Sequence, residues 1–202
     1  MMNDALIIFI KNPVEGKVKT RLAKDIGNVQ ALKIYNYLLA HTRNISCSIQ
    51  ASRLLYYADV LPEQDEWPAE DFEKLLQNGE DLGARMFDAF RTAAKKGNSR
   101  IVIIGSDCID LTPELINEAF NELESHDFVI GPAKDGGYYL LGMKYLEEKV
   151  FKNKQWSTYT VFNDTIADIE MMSKSVFVLP VLSDVDTIAD LNKELLNLVM
   201  IP

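Results

Sequence analysis

Cysteine is scarce in this 202-residue chain, with Cys47 and Cys108 far apart and no others. Two distant thiols argue against a disulfide scaffold and point to a reducing compartment, the cytoplasm. Histidine is equally scarce. His41 and His126 fall in or just after helix-like stretches, which argues against a His-rich zinc site. No apolar stretch approaches the roughly 20 residues that a membrane span requires. Residues 1–10 have no cationic region ahead of a long apolar segment, so they read as a strand rather than a signal peptide. Positive charge is short as well: 21 Lys and Arg face 30 Asp and Glu, a net charge of -9. That balance argues against nucleic acid or an anionic membrane as a bulk partner, and leaves room for a local basic patch that binds an anionic small molecule. What is present, 48% hydrophobic and 25% charged residues, suffices for one domain over 1–202 with a sizeable core.

Neither repeats nor low-complexity tracts interrupt the chain. Residues 5–10 (ALIIFI) form a continuous apolar run, as in a strand buried on both faces. Residues 53–60, 72–76, 101–105, 128–131, 138–143 and 175–179 read as further strands. A helix is expected from an Asn28 cap, with Val29, Leu32, Tyr35, Leu38, Leu39 and Thr42 on one face. Another runs from an Asp81 cap to Gly97, with Leu82, Met86, Ala89, Phe90 and Ala93 inward. Thr112-Pro113 starts a third, since proline at the first helical position lacks only a donor that would be unpaired anyway. A fourth falls within 160–172, and Thr187 caps a last one through about residue 198. The alternation predicts an α/β fold with a mostly parallel sheet covered on both faces. The adjacent strands 128–131 and 138–143 break the alternation and make the sheet mixed.

In open α/β sheets, ligands bind beyond the carboxyl ends of the strands, and four polar segments occupy such places. Residues 11–21 offer Lys11, Lys17, Lys19 and Arg21 around Gly16. Glycine lets the backbone approach a ligand closely, and the cations neutralise phosphate, Arg21 bidentately. The spacing is not that of a Walker A loop, and a solvated basic loop is the competing reading. Residues 105–110 (GSDCID) place Asp107 and Asp110 at a strand end, where carboxylate oxygens suit a hard cation; capping and loop formation are the plain alternative. Asp107, nearer the strand, is the better ligand candidate, with Asp110 a brace for the turn. Cys108 has no basic neighbour to activate it and reads as a small buried residue. Asp135-Gly136-Gly137, on its residues alone, is best read as an ordinary hairpin turn. Asp184 and Asp186 point the same way if extended, which suits one metal, while Asp186 can also cap the last helix beside Thr187. Gln77, Arg85 and Trp156-Ser157-Thr158 are polar, loop-adjacent candidates with no mechanism of their own.

Six motifs stand in one order along the chain: Lys11-x-Pro13-x-x-Gly16-x-x-Lys19-Thr20-Arg21-Leu22, Gln77-x-Gly79-x-Asp81-Leu82-Gly83-x-Arg85-Met86, Gly105-Ser106-Asp107, Asp135-Gly136-Gly137-Tyr138-Tyr139, Trp156-Ser157-Thr158 and Asp184-Val185-Asp186-Thr187. Over about 6–191 they resemble a bacterial family of GT-A-type transferases, described as glycosyltransferases or as transferases associated with radical-SAM proteins. That family is similar in turn to the molybdenum-cofactor nucleotidyltransferases and to 2-phospholactate guanylyltransferase. The resemblance implies a three-layer, Rossmann-like GT-A (nucleotide-diphospho-sugar transferase) fold with a mixed, mostly parallel sheet. It implies nucleotide binding by Lys11, Pro13, Gly16, Lys19, Thr20, Arg21, Gln77 and Arg85. A Mg2+ or Mn2+ ion would sit on Asp107, with Asp186 as a second metal or acceptor-side carboxylate. Asp135, Gly136, Gly137, Tyr138, Trp156, Ser157 and Thr158 would shape the acceptor pocket, which reverses the hairpin reading. The sequence departs from the Leu-Ala-Ala-Gly-x-Gly-x-Arg loop of sugar nucleotidyltransferases, and Asp107 and Asp110 do not form an Asp-x-Asp pair.

The expected activity is metal-dependent transfer from a nucleotide-activated donor to a small-molecule acceptor, with Asp107, Lys19 and Arg21 as the catalytic set. The metal and the cations would offset charge developing on the transferring and leaving oxygens. The resemblance favours glycosyl transfer from a nucleotide sugar. Nucleotidyl transfer from an NTP, with release of pyrophosphate, needs the same leaving-group chemistry. A non-catalytic nucleotide-binding module has no need of Lys19, Arg21, Asp107 and Asp186 together, and a NAD-type dehydrogenase would carry G-x-G-x-x-G after the first strand.

Overall fold

In the computed structural model, which describes residues 3–200, the apolar run near the N-terminus forms β1 (Asp4–Ile10). Met1 and Met2, part of the expected N-terminal strand segment, lie outside the described residues. The other strands are β2 (Ser52–Tyr57), β3 (Glu73–Leu76), β4 (Arg100–Ile104), β5 (Phe128–Pro132), β6 (Tyr138–Met143) and β7 (Val176–Val178). They form a seven-stranded sheet in the order β3-β2-β1-β4-β6-β5-β7. Strands β1 to β4 are mutually parallel and β7 is parallel to β5, while β6 runs antiparallel to both β4 and β5. The sheet is mixed and mostly parallel, and β6 is the strand that breaks it.

Side chains of β1 alternate between two layers. Leu6, Ile8 and Ile10 meet Tyr35 and Leu39 of α2 (Asn28–Cys47) and Ile116 and Phe120 of α4 (Pro113–Glu122). Ala5 and Ile7 meet Met86, Ala89 and Phe90 of the intervening α3 (Leu82–Lys95), with Ile169 of the later α5 (Val161–Met171) in the same cluster. These β1 residues are at most 2% exposed, and each Leu or Ile so buried contributes roughly 1.5–3 kcal/mol. A smaller cluster joins Leu22 of α1 (Thr20–Ile26), Ile34 and Leu38 of α2, Val185, and Leu195 of α6 (Lys193–Met200).

Two expected caps are present. The Asp81 carboxylate accepts from Ala84 N–H at 2.7 Å, and the Thr112 hydroxyl accepts from Leu115 N–H at 3.4 Å ahead of Pro113. Others differ. Asn28 is the first helical residue of α2; Gly27 holds the cap position at φ 83, and Val29 is 64% exposed rather than inward. Strand β2 stops at Tyr57, because the N–H groups of Asp59 and Val60 are taken by the Asn12 side chain instead of a neighbouring strand. Thr187 caps a single 3-10 turn (Ile188–Asp190), not the last helix. The Asp190 carboxylate accepts from the N–H groups of Asp186 and Thr187 and from the Thr187 hydroxyl, closing the turn on itself. Helix α6 begins later, with Asn192 Oδ1 accepting from Leu195 N–H at 2.9 Å.

Candidate functional site

A cleft of about 630 Å³ opens beyond the carboxyl ends of β1 and β4. Its first wall is the 11–21 segment, which Tyr35 anchors. The Tyr35 hydroxyl accepts from Lys11 N–H at 2.9 Å, donates to Lys11 C=O at 3.1 Å, and lies 3.4 Å from Ser106 Oγ. Helix α2 thereby ties the cationic loop to the end of β4, and burial, foremost, holds the Tyr35 phenol well above its usual range. Gly16 turns the loop at φ 76. Lys19 follows in the left-handed region, at φ 47 and ψ 42, a conformation that costs a residue with a Cβ roughly 1–2 kcal/mol.

Lys19 Nζ lies 2.7 Å from Asp107 Oδ1 and 3.4 Å from Asp186 Oδ1, and only 3% of its side chain is exposed. Arg21 Nη1 is 3.5 Å from Asp186 Oδ2, with 65% of its side chain exposed. Val185 N–H donates to Asp107 C=O at 2.9 Å, which sets the 184–186 segment against the end of β4. An isolated bridge between Ala133 and Leu182 brings the 133–137 turn to the same place. Asp184 faces Asp107 and Asp135. Burial, then those two charges, pushes its carboxyl up to about 7 against the opposing pull of Lys19.

On the third side, Gly136 is in the left-handed region at φ 91, and a Cβ there would lie 2.1 Å from Tyr159 C=O. Gly136 C=O accepts from Phe162 N–H at 2.9 Å, so the turn seats the start of α5 and the 157–160 loop. Ser157 is also left-handed, at φ 64. Gln77 donates its amide to Ile10 C=O at 3.2 Å and Tyr56 C=O at 3.3 Å, holding the ends of β1 and β2 together. Arg85 Nε donates to Gly79 C=O at 3.1 Å.

Lys11, Lys19, Thr20, Arg21, Gln77, Arg85, Asp107, Asp135, Gly137, Tyr138, Trp156, Ser157, Thr158 and Asp186 all line this one cleft. Pro13, Gly16 and Gly136 are not among its lining residues; they shape the turns behind it. Asp110 is exposed and is not among them either. Cys108 is buried, and burial above all pushes its thiol up to about 12, as expected of a small core residue. Lys17 and Asp184, raised on sequence as a phosphate-loop cation and one of two carboxylates for a metal, also line the cleft, and so do Tyr35, Ser106 and Tyr159, which had no ligand or catalytic role there. The Asp184-x-Asp186 spacing was the available signal for Asp184; Tyr35 carried only a core-helix signal.

Among the described residues, no group of three or more His, Cys, Asp or Glu side chains is arranged to hold a metal ion. The donor chemistry nevertheless fits Mg2+ or Mn2+: Asp107, Asp184 and Asp186 offer hard oxygens. Mg2+ commonly takes one or two carboxylates and completes its shell with water and substrate phosphates.

The fold is that of the nucleotide-diphospho-sugar transferases. A protein from Desulfovibrio desulfuricans, named as a candidate nucleotide-diphospho-sugar transferase, is 33% identical, with a TM-score of 0.84 over 93% of this chain and 84% of that one. The inositol-1-phosphate CTP transferase of T. maritima shares the fold at 13% identity and a TM-score of 0.53, over 98% of this chain and 95% of the other. So does Rv0371C of Mycobacterium tuberculosis in complex with manganese, at 11% identity and 0.53 over 98% of each chain. Through residues 43–158, the chain belongs to the family DUF2064, uncharacterized proteins conserved in bacteria. No curated protein matches its sequence. No helix among the described residues is long and apolar enough to cross a membrane.

Proposed function

We propose that the protein is a metal-dependent transferase acting on a nucleotide-activated donor, and that it moves a glycosyl group from a nucleotide sugar to a small-molecule acceptor. The carrying observation is the meeting, in one cleft, of cations from the β1 loop and α3 with carboxylates from β4 and the 184–186 segment. A nucleoside diphosphate leaving group needs both, since cations bind its oxygens and carboxylates hold a divalent ion against it. Support also comes from the 33% identical relative named as a candidate nucleotide-diphospho-sugar transferase.

Lys11, Lys17, Arg21 and Arg85 bind the diphosphate, and Gln77 meets the nucleoside at the β1–β2 edge. Asp107, with Asp184 or Asp186, would hold Mg2+ or Mn2+; when bound, the ion neutralises charge on the departing phosphate oxygens. Asp135, Tyr138, Trp156, Ser157 and Thr158 face the acceptor. The scarce, distant cysteines fit a cytoplasmic enzyme.

Nucleotidyl transfer is the second reading, because Lys11, Lys17, Arg21 and Arg85 would also serve a triphosphate. A thermal-shift panel of NTPs and of UDP-, GDP- and ADP-sugars, each with Mg2+ or Mn2+, tests both, followed by a product assay on the hits. Stabilisation by nucleotide sugars is expected. Stabilisation by NTPs alone would shift the assignment to nucleotidyl transfer, and a response to none of them would refute both.

A further inference from the structure

Lys19 differs from the other cations of the cleft in being buried, with its ammonium between two carboxylates from distant parts of the chain. Its backbone is left-handed, and its carbonyl opens α1 by accepting from Ala23 N–H at 2.8 Å. Strained backbone of this kind persists where the surroundings over-determine it; here it delivers the ammonium to Asp107 and Asp186. A divalent ion bridging those two side chains would sit about 2.0–2.6 Å from an oxygen of each. That is the space the ammonium fills, at 2.7 and 3.4 Å. Two cations cannot share it.

We infer that Lys19 is an internal counter-ion that holds the metal position of the cleft and must give way as a divalent ion comes to bridge Asp107 and Asp186. The inference rests on the reading of the cleft as metal- and nucleotide-dependent. Incoming phosphates give the displaced ammonium a new partner, so nucleotide should tighten metal binding. Arg21, on the other oxygen of Asp186, is exposed and can turn to the same phosphates without leaving a buried charge unpaired. Lys19 has no such freedom on its own, because unless a divalent ion enters as it leaves, Asp107, Asp184 and Asp186 would face one another without it.

The test is Mn2+ binding without nucleotide, followed by electron paramagnetic resonance, in the wild-type chain, Lys19→Met and Lys19→Gln. An opposite charge beside a carboxylate shifts cation affinity at such a group by tenfold or more. Both variants should therefore bind Mn2+ at least about tenfold more tightly than wild type. Unchanged or weaker binding in both variants, while wild type still binds Mn2+ with a nucleotide from the panel, overturns the inference alone. Failure of wild type to bind Mn2+ with or without any nucleotide overturns the reading of the cleft, and the inference with it. A measurement on the unaltered chain guards against variants that do not fold: amine acetylation read by mass spectrometry. Lys19 should be protected alone, reactive at saturating Mn2+, and protected again when a stabilising nucleotide is added. Reactivity of Lys19 that saturating Mn2+ leaves unchanged overturns the proposal.

Discussion

Replacing Asp184 with asparagine should stabilise the metal-free protein above neutrality and remove a stability loss between about pH 4 and pH 7. Burial, and then the charges of Asp107 and Asp135, raise the Asp184 carboxyl from 3.8 to about 7 in the folded chain. Between those values the folded state keeps a proton that the unfolded chain has released. The unfolded state binds fewer protons, so stability falls as pH rises through the window. About three pH units at about 1.36 kcal/mol each set a ceiling of about 4 kcal/mol. Water entering the open cleft lowers this to about 2–4 kcal/mol. Asparagine keeps the shape and never ionises. Carboxylates held below their usual range act elsewhere: Asp127, to which Ser175 N–H donates, loses its contribution only as pH falls below about 4. Urea unfolding of both proteins at pH 5 and pH 8, with EDTA present, isolates Asp184 as the difference between them. The variant should be the more stable by about 2–4 kcal/mol at pH 8 and by only about 1–1.6 kcal/mol at pH 5, where little more than one of the three pH units has been crossed. Millimolar Mg2+ should narrow the gap by offsetting the same excess charge. A variant no more stable than wild type at pH 8, or a difference that does not change with pH, would refute this account of the carboxylate cluster.

Gly136→Ala should destabilise the fold by about 3 kcal/mol in urea unfolding, because it combines a left-handed φ with a Cβ at the Tyr159 carbonyl; an unchanged midpoint would show that the 157–160 loop is not seated on this turn. Arg21→Ala should weaken a nucleoside diphosphate by about 1.5–3 kcal/mol, the worth of a charge-assisted bond, while leaving the bare nucleoside unaffected by calorimetry. Equal weakening of both ligands would remove Arg21 from the phosphate set.

Much of the fold was legible because periodicity and local chemistry agreed. The ALIIFI run could be satisfied only in the middle of a sheet, and Asp81 and Thr112-Pro113 announced α3 and α4 through side chains that bond their own helix starts. Two of the misreadings share a cause, a polar side chain claimed by a partner that local pattern does not reveal. Asn12 reaches about 48 residues along the chain to end β2. Asp190 closes the Thr187 turn and so delays α6. Helix α1 went unseen because its seven residues carry one buried side chain, Leu22, too few to make a periodic stripe.

The candidate site was legible in its parts and not in its assembly. Each polar motif contains an apolar residue that looks incidental in sequence and is a core contact in the fold. Val18, beside Lys19, packs in the same cluster as Tyr35 and Cys108, and Cys108 adjoins Asp107. Leu22, beside Arg21, shares a cluster with Val185, which separates Asp184 from Asp186. These buried neighbours dock the motifs, and the polar residues next to them are carried into one cleft. The docking also divides the work of the two aspartates that spacing alone treats as equivalent. With Val185 only 2% exposed, Asp186 meets Lys19 and Arg21, whereas Asp184 is pressed toward Asp107 and Asp135. An Asp-x-Asp spacing therefore specifies two carboxylates at one site without specifying that they do the same thing. Here Asp186 is paired with Lys19 and Arg21, whereas burial and the charges of Asp107 and Asp135 set the ionisation of Asp184.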